Sequence, residues 1–155
     1  METIPEWPRV APSFEWDGSW RDLYIFRTTS HDWNKLLHFI ASGSYAAELF
    51  VGGEAIYGIW PTADDMIVQY DRPLAHLKFQ VGGIGLKCHF FELDQIEFDL
   101  DPREVGSAAA WRELCVFMID IAVNLEKPCF LTYENMPKSI IAIASNDKVQ
   151  LPTAT

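Results

Sequence analysis

Between residues 74 and 102 apolar and polar side chains alternate, which is the period of a strand with one buried face, and the run is broken by a diglycine. Leu77, Phe79 and Val81 interleave with Lys78 and Gln80 before Gly82-Gly83, a diglycine for which a hairpin is the natural reading. Pairing Val81 with Ile84 sets Phe79 opposite Leu86 and Leu77 opposite Cys88, with Lys78 facing Lys87 on the other side. A slip of one residue would carry the whole apolar set into water, so the register is tightly constrained. A second turn at 92–94 pairs Phe91 with Gln95, His89 with Glu97 and Lys87 with Asp99, and Ile96, Phe98 and Leu100 prolong the apolar face. The chain is committed to an antiparallel meander with one face buried.

The remaining segments supply what covers that face. Residues 23–28 read as a strand feeding a helix, with Thr29 and Asp32 forming a capping box and Trp33, Leu36, Leu37 and Ile40 on one stripe. Gly43 sits where a left-handed C-cap would close that helix. Segments 45–51 and 54–59 flank a second diglycine, Gly52-Gly53, and 61–65 reads as a loop. Asp101-Pro102-Arg103-Glu104 has the form of a helix start, Gly106 interrupts it, and a long helix runs from a Ser107 cap towards Pro128. Its stripe of Trp111, Leu114, Cys115, Met118, Ile121, Ala122 and Leu125, widened by Phe117, Ile119 and Val123, predicts burial on two sides. Segments 129–133 and 139–144 complete the strands. The predicted architecture is a single α+β domain over 21–151: one antiparallel sheet of about six to eight strands with two helices on its apolar face. Residues 1–20, rich in proline and tryptophan, form an extended arm packed on the body, and 152–155 a tail.

Composition narrows the function classes. Twelve Lys plus Arg against twenty-two Asp plus Glu give 155 residues a net charge of −10, which repels phosphate backbones and argues against nucleic acid as a partner. The same charge favours steered association with a basic protein. No apolar run approaches the roughly 20 residues that span a bilayer, so no membrane partner is expected. The N-terminus has neither a basic start nor an apolar core of a secretory signal, which makes the cytoplasm the default compartment. Cys88, Cys115 and Cys129 are odd in number, widely spaced and flanked by apolar residues, a pattern of buried reduced thiols.

The densest polar constellation is Glu92, Asp94, Glu97, Asp99, Asp101 and Glu104, of which Glu97, Asp99 and Asp101 project from one face of one strand. Carboxylates roughly 7 Å apart suit hard divalent cations. No phosphate-binding glycine loop precedes them, however, and a solvated sheet face partnered by Lys87 and His89 accounts for the same spacing. His89, set among these carboxylates, is the candidate acid or base of a metal-dependent alternative. His31, His38 and His76 make no helical metal pair, G-x-S-x-G is absent, and Cys88 and His89 point to opposite faces. The reading requires no cofactor.

The runs Cys88-His89-Phe90-Phe91 and Ile96-Glu97-Phe98-Asp99-Leu100-Asp101-Pro102-Arg103-Glu104, with Thr28-Thr29 and Asp32-Trp33, resemble a group of small stand-alone uncharacterised bacterial proteins. That resemblance implies no activity or catalytic residue. In size, acidity and lack of a catalytic signature the chain is also similar in character to immunity proteins that neutralise bacterial toxins. The expected function is a non-enzymatic protein-binding module, engaging a basic toxin through Glu97, Asp99, Asp101 and His89, with Trp60 or a tryptophan of the arm as anchor. The alternatives are a divalent-metal enzyme acting on a small phosphorylated or nucleotide substrate, and a scaffold subunit of a larger assembly.

Overall fold

The computed structural model describes residues 3–67 and 74–153, so the first two residues of the arm and the last two of the tail lie outside the described residues. The arm is not extended. Trp7–Val10 forms one helical turn, α1, with Pro8 in its first turn where a missing N–H costs nothing, and a 3-10 turn follows at Ala11–Phe14. Prolines compatible with helix starts therefore shaped this segment, where they had argued for irregular chain. Val10 and Phe14 are buried, and the Trp111 indole N–H donates to the Pro5 carbonyl at 2.7 Å.

Strand β1 spans Arg21–Phe26, and α2, Ser30–Ser42, begins at the expected capping box: Thr29 Oγ1 accepts from the Asp32 amide and the Asp32 carboxylate accepts from the Thr29 amide. Its C-cap differs from expectation. Gly43 has φ −90° and ψ −177°, an extended conformation open to any residue, and its missing side chain serves packing: a Cβ there would stand 2.5 Å from the Tyr45 ring. Glu48–Val51 (β2) and Glu54–Ile56 (β3) form a hairpin in which Gly52 and Gly53 both have positive φ. The expected loop at 61–65 holds one helical turn, α3, Ala63–Met66.

Ala75–Val81 (β4), Ile84–Glu92 (β5) and Gln95–Leu100 (β6) make the meander, in the predicted register from Val81↔Ile84 to His76↔His89 and from Lys87↔Asp99 to His89↔Glu97. Beyond His89 the register shifts by one residue, so Gln95 pairs with Glu92 and the expected Phe91↔Gln95 pair does not form. This bulge shortens the turn to Leu93-Asp94 and leaves Phe91 exposed. A 3-10 turn, Pro102–Glu104, is capped by Asp101, while Glu104 accepts from the Gly85 amide at 3.0 Å instead of reaching back to its own turn. Helix α4, Ala108–Leu125, starts at the Ser107 cap and buries the predicted stripe, although Val123 is exposed. Cys129–Tyr133 (β7), Met136–Ser145 (β8) and Lys148–Gln150 (β9) end the chain.

Among the described residues the expected six to eight strands and two helices are thus nine strands in one open antiparallel sheet and four helices, the extra helices being short. Strand order is β3-β2-β4-β5-β6-β1-β7-β8-β9, which places β1 between the two meanders. Helices α2 and α4 pack against each other, and α4 lies on β4, β7, β8 and β9. Inward residues of every strand join them in one core around Trp33, Phe79, Phe98, Trp111 and Phe117. No helix is long and apolar enough to cross a membrane among the described residues.

Candidate functional site

The alternation that buries Leu23, Ile25, Ile96 and Phe98 turns the intervening side chains to the opposite side of the sheet, away from α2 and α4. Two transverse rows run across that face. One reads His76, His89, Glu97, Tyr24, Phe130 and the other Lys78, Lys87, Asp99, Asp22, Thr132. In the second row two lysines sit side by side and two aspartates sit side by side, so the face is basic over β4 and β5 and acidic over β6 and β1. Like charges directly opposite one another destabilise a sheet. Two such pairs in one row are not what stability alone would select.

At the acidic end lies a depression of about 350 Å³ lined by the carboxylates of Asp22, Glu97, Asp99 and Glu134, by Lys87 and His89, and by the aromatic rings of Trp20 and Phe91. Trp20 is 43% and Phe91 50% exposed. The His89 imidazole meets Asp99 Oδ2 at 2.7 Å, diagonally across the ladder, and stacks on Phe91 with centroids 4.9 Å apart and planes within 4°. The carboxylate of Glu134 is fixed by the Trp20 amide at 2.9 Å.

Asp22 is the unusual member. It is 3% exposed, and its Oδ2 accepts from the Asn135 amide at 2.8 Å and from the Tyr24 hydroxyl at 3.1 Å, with no cation bonded to it among the described residues. Burial pushes its pKa up to about 6, opposed by the Asn135 amide and reinforced by Glu97 and, more weakly, Asp99. The Tyr24 hydroxyl is pushed up as well, first by burial and then by the charges of Asp22 and Glu97. Sequence reading passed over Asp22 and Glu134, and offered Trp20 only as one of the arm tryptophans that could anchor a partner. The signal for Asp22 was its place opposite Asp99, visible only once β1 is known to pair with β6.

Of the residues expected from sequence, Glu97, Asp99 and His89 come together here. Asp101 does not, since its carboxylate caps the following 3-10 turn and binds Arg103, at 2.8 Å from Nη2, while the Arg103 guanidinium lies over the Trp16 ring. Trp60 lies apart from this face, partly buried against the core beside Asn34, Leu37 and His38 of α2. All three cysteines are buried and unpaired, with their thiols pushed up by burial. Among the described residues no group of three or more His, Cys, Asp or Glu is arranged to hold a metal ion. No protein-family model, curated protein or solved structure matches the chain.

Proposed function

We propose that this protein is a non-enzymatic binding module whose uncovered sheet face takes a basic side chain of a protein partner into the depression between Trp20 and Phe91, as an immunity-type inhibitor would take a basic toxin. The observation that carries the reading is Asp22, a buried carboxylate beside Glu97 and Asp99 with no bonded cation of its own. An arginine or lysine entering there would be attracted by four carboxylates and would relieve their mutual repulsion. Removing such a charge pair from water strengthens it, and the flanking aromatics supply the apolar rim that excludes solvent. Lys78, at the far end of the row, would repel a misplaced basic partner and so help to set orientation, while Lys87, opposite Asp99, bounds the depression on its basic side. Of the anchors expected, Trp60 or a tryptophan of the arm, it is the arm's Trp20 that takes the role, together with the exposed Phe91.

The test is affinity capture from the source lysate with wild type, with Asp22→Asn/Glu97→Gln/Asp99→Asn and with Asp101→Asn, each at low and high salt. Wild type and the Asp101 variant are expected to retain the same basic protein in a salt-sensitive way, and the triple variant to lose it. Retention by the triple variant, or capture unaffected by salt, would place the contact elsewhere.

A further inference from the structure

Beside the acidic depression the same face turns apolar and cationic. Tyr24 stacks on Phe26 at 5.3 Å, and Phe26 meets Phe130 at 5.5 Å, so an aromatic stripe leads from Asp22 towards the end of β1. There Phe26 and Phe130, with Pro128 and Pro137, line a groove of about 660 Å³. That is within the roughly 300 to 1,000 Å³ typical of small-molecule sites. Three basic side chains, Arg27, Lys127 and Lys138, line the same groove in a chain whose net charge is −10.

The three cations are not equivalent. The Lys127 ammonium is 3.1 Å from the buried Asp32 carboxylate, which it holds below its usual range together with the Thr29 capping bonds and against the effect of burial. Lys127 is thereby a structural tie between the end of α4 and the start of α2. Arg27 and Lys138 are exposed and have no acidic partner among the described residues. Arg27 also holds φ at +58°, a conformation in which a side chain is uncommon and glycine or asparagine would be more comfortable. The turn is held there because Thr28 is bonded on both sides: its amide donates to Asp94 O and its hydroxyl to Leu93 O.

An apolar floor alone would accept any hydrophobic body, and cations alone any anion. Their combination selects a molecule with both parts, and it disfavours a cationic one. We propose that this groove is a binding site for a small amphipathic carboxylate, its chain lying on Phe26 and Phe130 and its head between Arg27 and Lys138. The site is independent of the acidic depression, and its ligand has the opposite charge.

Calorimetric titration with sodium decanoate and with decyltrimethylammonium bromide, both below their micelle concentrations, tests this directly. One decanoate should bind per chain, about tenfold or more tighter than the cationic amphiphile. Arg27→Gln/Lys138→Gln, both at exposed positions, should weaken decanoate by about tenfold, and Arg27→Glu/Lys138→Glu should reverse the preference between the two amphiphiles. An unchanged amide spectrum of each variant excludes misfolding as the cause. Equal affinity for the two amphiphiles, decanoate binding indifferent to either double variant, or no saturable decanoate binding would each overturn the site.

Discussion

At Asp22 the cost of the site is measurable as a pH dependence. A carboxyl group with an ordinary pKa of 3.8 that is lifted to about 6 by burial holds its proton more tightly in the folded protein than in the unfolded chain. The stability supplied by the protonated form is complete below about pH 3.8 and lost as pH rises through about 6, the reverse of a salt-bridged aspartate. Two pK units are worth roughly 3 kcal/mol at most, and after allowance for solvent around the depression the effect is on the order of 2 kcal/mol. Asp22→Asn removes the charge and keeps a carbonyl oxygen for the Asn135 amide and the Tyr24 hydroxyl. Urea unfolding should find the variant more stable than wild type by about 2 kcal/mol at pH 7.5 and little different at pH 4. Equal gains at the two pH values would mean that the ionised carboxylate is not the source of the cost. A stabilising substitution at this position fits a residue kept for binding, since proteins break local rules where function requires it.

At the scale of elements, the hairpins were legible and the order of strands was not. Gly82-Gly83 and Gly52-Gly53 mark turns of two residues, and a two-residue turn fixes register, so Phe79↔Leu86 and Lys78↔Lys87 followed from the turn, while Lys87↔Asp99 and His89↔Glu97 followed from matching the apolar alternation across the next turn. The insertion of β1 between β6 and β7 has no local signal, because Asp22↔Asp99 joins residues 77 positions apart. That pairing assembles the depression, which is why half of its carboxylates were missed. The bulge after His89 was hidden for a related reason: an extra residue changes which side chains face out without changing the composition of the run. Gly43 shows the same limit at a helix end. Its function is to let the Tyr45 ring approach, and Tyr45 is itself wedged against Phe39, Phe79 and Phe117, so the ring has little room to withdraw. Gly43→Ala is therefore expected to cost about 1 to 3 kcal/mol by overpacking. Gly83→Ala, where an added methyl meets nothing within 4 Å and φ is not positive, should stay within about 0.5 kcal/mol of wild type in the same denaturation series. A cost at Gly43 no larger than at Gly83 would show that the end of α2 yields freely.

For the molecule as a whole, the arm decides how the open sheet is finished. Thr3 bridges β9, with its amide donating to Asp147 O and its carbonyl accepting from the Val149 amide, and so covers an edge that would otherwise offer unpaired backbone groups. The buried Arg21 guanidinium gathers the carbonyls of Ser13, Glu15, Ser19 and Trp20 and lies 4.7 Å from the centre of the Tyr133 ring, tying the arm to β1 and β7. Between these anchors Phe14 packs against Trp7 and Trp111 with centroids 5.9 and 5.7 Å apart and is only 4% exposed. Nearby Trp16 is 48% exposed, with the Arg103 guanidinium 3.8 Å above its ring. If the arm belongs to the cooperative core, truncating the buried ring must cost as much as truncating any core aromatic. Phe14→Ala is accordingly expected to lose about 3 to 5 kcal/mol, and the larger deletion Trp16→Ala no more than about 1 kcal/mol, the worth of an exposed cation–π contact. Both are read from urea midpoints at constant m-value. Were Phe14→Ala as mild as Trp16→Ala, the arm would be a separable strap that opens below the global transition, and Trp20, at its junction with β1, would be free to move with it when a partner binds.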